Sequence, residues 1–258
     1  MTAPSEADKT VIKATDNTQI VNVAAGCAGS SDALGGAGSV AWDDLEVDSQ
    51  VNFKNTTFDV ADLDVDSKNE AQVINVAGEV AISGSSTIGL ALALNSVDNA
   101  ASINAVDSTF KRTGGKADLT ATNDSDLYAV GAGINISTKG GVYNGNVAIN
   151  MGHNDTTATA DNVTVDNLKT FSISTVDKSD KATAAGAIDV SLGMSDSTSA
   201  NIGASIAYTE IGGGSSDKEK LTSTIKNSTL KTVDFVADYI TAQRETADQD
   251  AADIDYIT

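Results

Sequence analysis

The chain has 258 residues, of which 36 are acidic and 16 basic, and a formal net charge of −20 at pH 7. This acidity argues against a nucleic-acid partner, whose phosphates need a basic face, and against anionic lipid surfaces. No apolar run is long enough to span a bilayer, so we expect no membrane insertion by this segment. Only 4% of the residues are aromatic, which favours a thin, repetitive core over the wide core of a globular enzyme.

One phrase recurs along the chain, an alternating run that ends in a polar turn in four of its five copies. The copies begin at Lys9, Val60, Lys116, Lys169 and Lys231. We align them on Ala14, Val65, Ala121, Ser174 and Val236. A second landmark is the serine that closes four related phrases, Ser30, Ser83, Ser137 and Ser191, with steps of 53, 54 and 54 residues. Self-similarity at one period is typical of a stacked, quasi-one-dimensional fold.

The runs inside each period alternate apolar and polar residues, the pattern of half-buried strands. The sequence therefore predicts an all-β parallel solenoid with almost no helix, in which a repeat of about 54 residues makes roughly two coils. We expect a single domain over 1–258, with units at roughly 9–59, 60–115, 116–168 and 169–230 and a partial unit at 231–258. The apolar members of the runs are predicted to face the interior: Ile134, Ile136, Val147, Ile149, Val163, Val165, Phe171 and Ile173.

The third and fourth units resemble a known family of long repeats. Their phrases are Ala129-Val-Gly-Ala-Gly-Ile-Asn-Ile-Ser, Gly145-Asn-Val-Ala-Ile-Asn and Phe171-Ser-Ile-Ser-Thr-Val-Asp. They resemble the repeats of type V-secreted filamentous adhesins of bacteria, including autotransporter passengers and the adhesins grouped with a fusobacterial leukotoxin. The resemblance covers about Lys9 to Val236. It implies a right-handed parallel β-helix that folds outside the cell and stays on the bacterial surface, anchored to the outer membrane through regions absent here.

Irregular excursions from the repeat are the candidate contact surfaces, because loops that break a solenoid can vary without disturbing its core. The first, Gly26 to Trp42, carries the only tryptophan, followed by Asp43 and Asp44. The second, Gly212 to Lys220, carries the two basic candidates Lys218 and Lys220. The first residues lack the charged and apolar regions of a signal peptide, and we expect a segment of a longer protein.

Catalytic and metal-binding groups are sparse. His153 is the only histidine and is predicted to lie in a turn, while Cys27 is the only cysteine and is predicted to be a small buried residue. Zinc sites draw on several such ligands. The acidic alternation of Asp62, Asp64 and Asp66 projects from one face of a strand and is a weak candidate for calcium, which prefers oxygen ligands. No other cofactor is expected.

We therefore expect a non-enzymatic adhesin segment, either a stalk or a region that attaches to cells or matrix through a host or bacterial surface protein or glycan. Two alternatives stay open. The first is a self-associating extracellular filament or matrix protein. The second is a polysaccharide-active β-helix enzyme, which would gather carboxylates and basic residues in one groove. Arg112 and Arg244 are the only arginines, which argues against that groove.

Overall fold

The computed structural model describes residues 9–192, 200–211, 220–232 and 240–244, and these residues contain strands and connections but no helix. A membrane-spanning helix is accordingly absent from the described part of the chain. The strands are β1 (Lys9–Ser30), β2 (Gly35–Lys54), β3 (Thr57–Phe58), β4 (Asp62–Ser83), β5 (Thr87–Val106), β6 (Thr109–Lys111), β7 (Lys116–Asn123), β8 (Asp126–Ser137), β9 (Val142–Asp161), β10 (Thr164–Leu168), β11 (Thr170–Asp177), β12 (Asp180–Ser191), β13 (Asn201–Ile211), β14 (Lys220–Lys226), β15 (Thr229–Thr232) and β16 (Ile240–Arg244).

The strands form three parallel sheets that the chain visits in turn. Sheet A contains β1, β4, β7, β8, β11, β12 and β16, sheet B contains β2, β5, β9, β13 and β14, and sheet C contains the short strands β3, β6, β10 and β15. The chain passes from sheet A to sheet B to sheet C and then returns to sheet A. The all-β prediction with parallel pairing is confirmed, and the order in which the chain visits the sheets is compatible with a β-helix.

The number of coils per repeat differs from the prediction. Lys9 pairs with Asp62, and Gly35 pairs with Thr87, so hydrogen-bonded partners lie 53 and 52 residues apart. One repeat therefore makes one coil, and the prediction of two coils is wrong. The physical reason is strand length: β1 and β4 have 22 residues each, much longer than the short sides that the sequence suggested.

The two landmarks behave differently in the observed register. Ser30, Ser83, Ser137 and Ser191 are direct neighbours across sheet A, as expected. The first landmark slips, because Ala14 pairs with Ser67 rather than Val65, and Ala121 pairs with Thr175 rather than Ser174. Val236 lies outside the described residues. In this repeated segment, polar and apolar residues replace one another at equivalent positions. The repeat therefore defines the period well, but it does not define which residues are paired between strands.

One half of the coil, which we call the wide half, contains an apolar core. It comprises β7, β11, β14, sheet C, the first parts of β1 and β4, and the last parts of β2, β5 and β9. Large side chains fill the space between the sheets, including Ile103, Leu119 and Phe110. Phe53, Phe58, Phe110 and Phe171 form an aromatic ladder with ring centroids 5.0, 5.2 and 5.3 Å apart.

The predicted interior positions in the wide half hold. Val163, Val165 and Ile173 are buried. Phe171 is half-buried and packs against the same core. This half thus follows the ordinary rule for a strand, with apolar members inside and polar members outside.

The other half, which we call the narrow half, reverses that rule. It comprises β8, β12, β13, the last parts of β1 and β4, and the first parts of β2, β5 and β9. Asn135, Asn146, Ala148 and Asn150 are fully buried there. Their neighbours face outward, so the predicted interior positions Ile134, Ile136, Val147 and Ile149 are wrong. A shift of one residue in the assignment of faces moves every side chain to the opposite side.

Buried asparagines donate hydrogen bonds to one another inside the narrow half. Asn75 Nδ2 donates to Asn95 Oδ1 at 2.5 Å, and Asn95 Nδ2 donates to Asn150 Oδ1 at 2.7 Å. Asn95 Nδ2 also donates to the carbonyl of Tyr128 at 3.0 Å, and Asn150 Nδ2 to that of Ala182 at 2.6 Å. Because a buried amide is tolerated once it is hydrogen-bonded, this spine can occupy positions that a hydrophobic pattern assigns to the surface.

Small residues let the two sheets approach closely in the narrow half. Six buried alanines form its apolar cluster: Ala41, Ala77, Ala91, Ala93, Ala129 and Ala148. A Cβ atom added to Gly131 would lie 2.9 Å from the carbonyl oxygen of Val147, and one added to Gly26 would overlap the backbone of Gly38. At these positions the backbones of sheets A and B are nearly in contact, which leaves little room for large inward side chains. Leu127 of β8 is fully buried only at the end of this half, beside Val73 and Val97.

The corner between sheets B and C is made by one left-handed residue per coil. Asn55, Asp107, Asn162 and Asn227 have φ values of 54°, 51°, 53° and 53°. Asn and Asp tolerate this conformation better than other residues with a side chain. Each is followed two residues later by Thr. At this corner the sequence therefore carries Asn-x-Thr three times and Asp-x-Thr once.

Candidate functional site

The outer face of the narrow half on sheet B is uncharged. Parallel pairing aligns β2, β5, β9 and β13, and alternation turns every second residue outward. Four strands with four outward positions each make a grid, and no charged residue occupies it. Its rows are Gly36, Ile88, Tyr143 and Ile202; Gly38, Leu90, Gly145 and Ala204; Val40, Leu92, Val147 and Ile206; and Trp42, Leu94, Ile149 and Tyr208. We call this grid face B.

Large apolar side chains of face B are open to solvent. Trp42 is 65% exposed, Ile206 58%, Leu90 51% and Tyr208 49%. They face outward because their strand neighbours, small residues and asparagines, fill the narrow interior. At a strand spacing of about 4.8 Å and a rise of about 3.3 Å per residue, the grid covers roughly 500 Å². Apolar patches of a few hundred Å² or more mark interaction sites on soluble proteins.

An acidic border closes face B toward the wide half. The next outward positions on β2 are Asp44, Glu46 and Asp48. Asp98 follows on β5 and Glu210 on β13. The same strands therefore carry an uncharged surface over one half and an acidic surface over the other.

Sheet A carries a second uncharged surface over the narrow half, which we call face A. Its rows are Val21, Ile74, Tyr128 and Ala182; Val23, Val76, Val130 and Ala184; Ala25, Gly78, Ala132 and Gly186; Cys27, Val80, Ile134 and Ile188; and Gly29, Ile82, Ile136 and Val190. Cys27 is exposed, so the prediction of a buried cysteine is wrong. Cys27 belongs to the residues of β1 that face outward, whereas the prediction placed it among those that face inward.

The three residues predicted around the tryptophan split between the two sides of β2. Trp42 and Asp44 face outward and are exposed. Asp43 faces inward, where its Oδ1 accepts a hydrogen bond from Asn22 Nδ2 at 2.9 Å, and burial raises the pKa of its carboxyl. Asp43 therefore belongs to the interior spine and does not share the outer face with Trp42 and Asp44, because successive strand residues point to opposite faces.

The excursions predicted from the sequence are only partly described. Gly26 to Trp42 is mostly regular strand, interrupted at residues 31–34 between β1 and β2. The prediction that this segment is an irregular excursion is therefore wrong. Lys218 lies outside the described residues. Lys220 is exposed at the start of β14, opposite Asp155 of β9.

The acidic row of β4 faces outward, as its alternation predicts. The side chain of Lys9 forms an ion pair with Asp64, with Nζ 3.2 Å from Oδ2, and that of Lys13 forms one with Asp66, with Nζ 2.9 Å from Oδ2. The strand keeps the three carboxylates apart, and within the described ranges no group of three acidic, histidine or cysteine residues is placed to hold a metal ion. The geometry therefore lends no support to calcium at Asp62, Asp64 and Asp66.

His153 lies within strand β9, so the prediction of a turn is wrong. Its Nε2 atom is 3.2 Å from Asp155 Oδ1, the next outward residue on the same strand. The run Met151-Gly-His-Asn-Asp carries a turn-forming composition, but pairing with β5 keeps it extended. Cross-strand hydrogen bonds override local turn preference here.

Charged residues meet in one shallow surface depression at the edge of sheet C, with a volume of about 350 Å³. Asp59, Lys111, Arg112, Thr113, Asp166 and Asn167 line it. Lys111 Nζ is 3.9 Å and Arg112 Nη1 is 3.8 Å from the Asp59 carboxylate. In sheet C, Lys111 pairs with Asp166, which pairs with Lys231. Acidic and basic residues thus alternate along the stack.

A buried acidic residue lies beneath face B. Glu79 of β4 is 3% exposed, and its Oε1 accepts a hydrogen bond from Asn135 Nδ2 at 2.9 Å. A Cβ on Gly89 or Gly133 would overlap the Glu79 carboxylate, so the two glycines make room for it. Burial, followed by the effect of Asp189, raises the pKa of Glu79.

Sequence reasoning missed both uncharged faces. The available signal was the interval of 55 residues that separates Asn95 from Asn150 and also Asn99 from Asn154. Such recurrence indicates stacked asparagines and therefore reverses the faces of the strands that carry them. No protein-family model, curated protein or solved structure matches the chain.

Proposed function

We propose that this chain is a non-enzymatic segment of a bacterial cell-surface adhesin, located outside the cell, with a right-handed parallel β-helix as its scaffold. One coil per repeat and continuous parallel pairing support the scaffold. The adhesin-like phrases of the repeat support the family and its surface location. The role of the segment is attachment, through contact of its outer surface with a partner.

Face B is the observation that carries the binding role. It offers exposed large side chains, with Trp42 and Tyr208 in one row, on a chain that is otherwise strongly acidic. Aromatic residues dominate contact energy at protein interfaces and also stack on sugars. An uncharged surface bounded by acidic residues has the form of an interface with an apolar centre and a polar rim.

Adherence of cells that display the chain tests this proposal. We expect displayed parent chain to increase attachment to cells or matrix, and Leu90→Glu, which places a charge in the centre of face B, to abolish the increase. Ser102→Glu is the matched control, since Ser102 faces outward on the same strand in the wide half. Equal attachment by parent, Leu90→Glu and an empty display host would refute the binding role.

A polysaccharide-active enzyme is the second candidate, favoured by the depression at Asp59, Lys111, Arg112 and Asp166. The alternating acidic and basic residues of the depression neutralise one another, which favours a role in holding the coils together over a catalytic role. Incubating the purified chain with a panel of neutral and acidic polysaccharides separates the two functions. We expect no shortening of any polymer. Shortening that is lost in Arg112→Ala and in Asp166→Asn would establish the enzyme instead.

A further inference from the structure

We propose that face B is covered by face B of a second copy of this chain, the two copies packing about a two-fold axis with antiparallel strands. This inference deepens the proposed function and rests on it for its biological meaning, because it names the partner of the contact face. Cells that display the chain would then attach to one another through identical segments.

The shape of face B suits another sheet. Flat sheet faces pack on each other at about 10 Å when side chains interdigitate. Gly38, Gly145 and Ala204 form a low row interrupted only by Leu90, and taller rows flank it on both sides. A two-fold axis presents the low row of each copy to a tall row of the other. Such isologous contacts are the commonest in protein oligomers.

The charge distribution selects a second copy and its orientation. The chain carries a net charge of −20, so most of its surface repels an identical chain. Face B is free of charge, and Asp44, Glu46 and Asp48 border it on the side of the wide half. With antiparallel strands, the acidic wide halves extend in opposite directions. With parallel strands they would lie on top of each other.

The area of the face is sufficient for a weak homodimer. Two faces of roughly 500 Å² each bury on the order of 1,000 Å², near the lower limit for a specific interface. An interface of this size is expected to form in a concentration-dependent way with single segments. It would strengthen when many segments act together on a cell surface, because linked contacts add avidity.

The chain contains one natural probe for each uncharged face. Trp42, the only tryptophan, is exposed in face B, and Cys27, the only cysteine, is exposed in face A. Sedimentation of the full 258-residue chain over a concentration series would measure its mass. In parallel, Trp42 emission and the rate at which a maleimide labels Cys27 would report which face is buried.

We expect the mass to rise to that of two chains, with a blue shift of Trp42 emission and an unchanged rate of Cys27 labelling. Leu90→Glu should weaken dimerisation by more than about a hundredfold, because each dimer would bury two unpaired carboxylates. Ser102→Glu should behave like the parent. Circular dichroism would verify that both variants keep the strand content of the parent.

Three results would overturn the inference. The first is a parent chain that stays monomeric, with Trp42 exposed, at all concentrations. The second is a dimer in which Cys27 is protected from labelling and Trp42 is not. The third comes from repeating the emission measurement with phosphatidylcholine vesicles, and it is a blue shift of Trp42 emission that occurs only when the vesicles are present. The test is separable from that of the proposed function. Adherence to cells by a chain that is monomeric in solution rejects the second copy alone, whereas dimers without adherence reject the adhesin alone.

Discussion

The wide and narrow halves use the same strands and opposite rules. In the wide half, Ile103 and Leu119 are buried and most of the outward residues are polar or charged. In the narrow half, Asn95 and Asn150 are buried and Leu90 is half exposed. The difference shows that the distance between the sheets influences which residues face inward. Where the backbones nearly touch, mostly small residues and hydrogen-bonded amides lie inside, and most bulky side chains face solvent.

The largest expected effect is the difference in unfolding free energy between two variants that place a charge at an apolar position, one in each half. Ile103→Asp puts an unpaired carboxylate into the apolar core and should cost several kcal/mol of unfolding free energy. Ile149→Asp, on face B, should cost less than about 1 kcal/mol because its side chain turns toward water. Urea denaturation followed by circular dichroism compares the two. If Ile149→Asp unfolds the chain as Ile103→Asp does, the narrow half has the ordinary register.

Removal of one spine amide should have the next largest effect. Asn95→Ala leaves the carbonyl of Tyr128 and Asn150 Oδ1 without their donor, at a cost of about 2–3 kcal/mol in unfolding free energy. Asn104→Ala is the matched control, since Asn104 Nδ2 donates to Asn52 Oδ1 at 2.9 Å on the exposed face of the wide half. Its cost should stay within about 0.5 kcal/mol. Equal costs would contradict a buried spine.

Glu79 makes the narrow half sensitive to pH. Burial raises its folded-state pKa above the unfolded value of about 4.3. The folded chain therefore holds the proton to higher pH, and the free energy of unfolding is highest below that value and falls as pH rises through the folded-state pKa. Asp43 and Asp126 are shifted in the same direction by burial.

Glu79→Gln should raise the free energy of unfolding at pH 7 by about 1 kcal/mol, because it removes a desolvated charge. It should also flatten the rise in stability on acidification from pH 7 toward the unfolded-state pKa of about 4.3. The contributions of Asp43 and Asp126 should remain. Melting temperatures measured at several pH values provide the test, with the exposed Glu46→Gln as control. A parallel pH profile in parent and Glu79→Gln would show that Glu79 is not desolvated.

The smallest expected effect is at the corner that closes the wide half. Asn162 has a φ of 53° and donates through Nδ2 to Asp107 Oδ1 at 2.7 Å. Asn162→Ala should lower the free energy of unfolding by about 1 kcal/mol, since alanine resists the left-handed region. Asn162→Gly should cost only a few tenths, because glycine adopts that conformation freely. A higher melting temperature for Asn162→Ala than for Asn162→Gly would argue against the left-handed conformation at this corner.

The sequence by itself determined the class of fold, the period and part of the register. Alternation predicted strands, and the spacing of Ser30, Ser83 and Ser137 predicted neighbours that the structure confirms. It also placed Val163, Val165 and Ile173 correctly in the core. These successes share a cause: period and alternation are local properties, and the wide half obeys the usual preference of apolar residues for the interior.

Only the tertiary structure decided the number of coils per repeat and the faces of the narrow half. Alternation is symmetric, so Asn135 and Ile136 are equally compatible with either side of a strand. Buried amide pairs such as Asn95 and Asn150 form between coils 55 residues apart, and the near contact of sheets A and B leaves little room for large inward side chains. Face B exists because of that contact, which no single stretch of sequence contains.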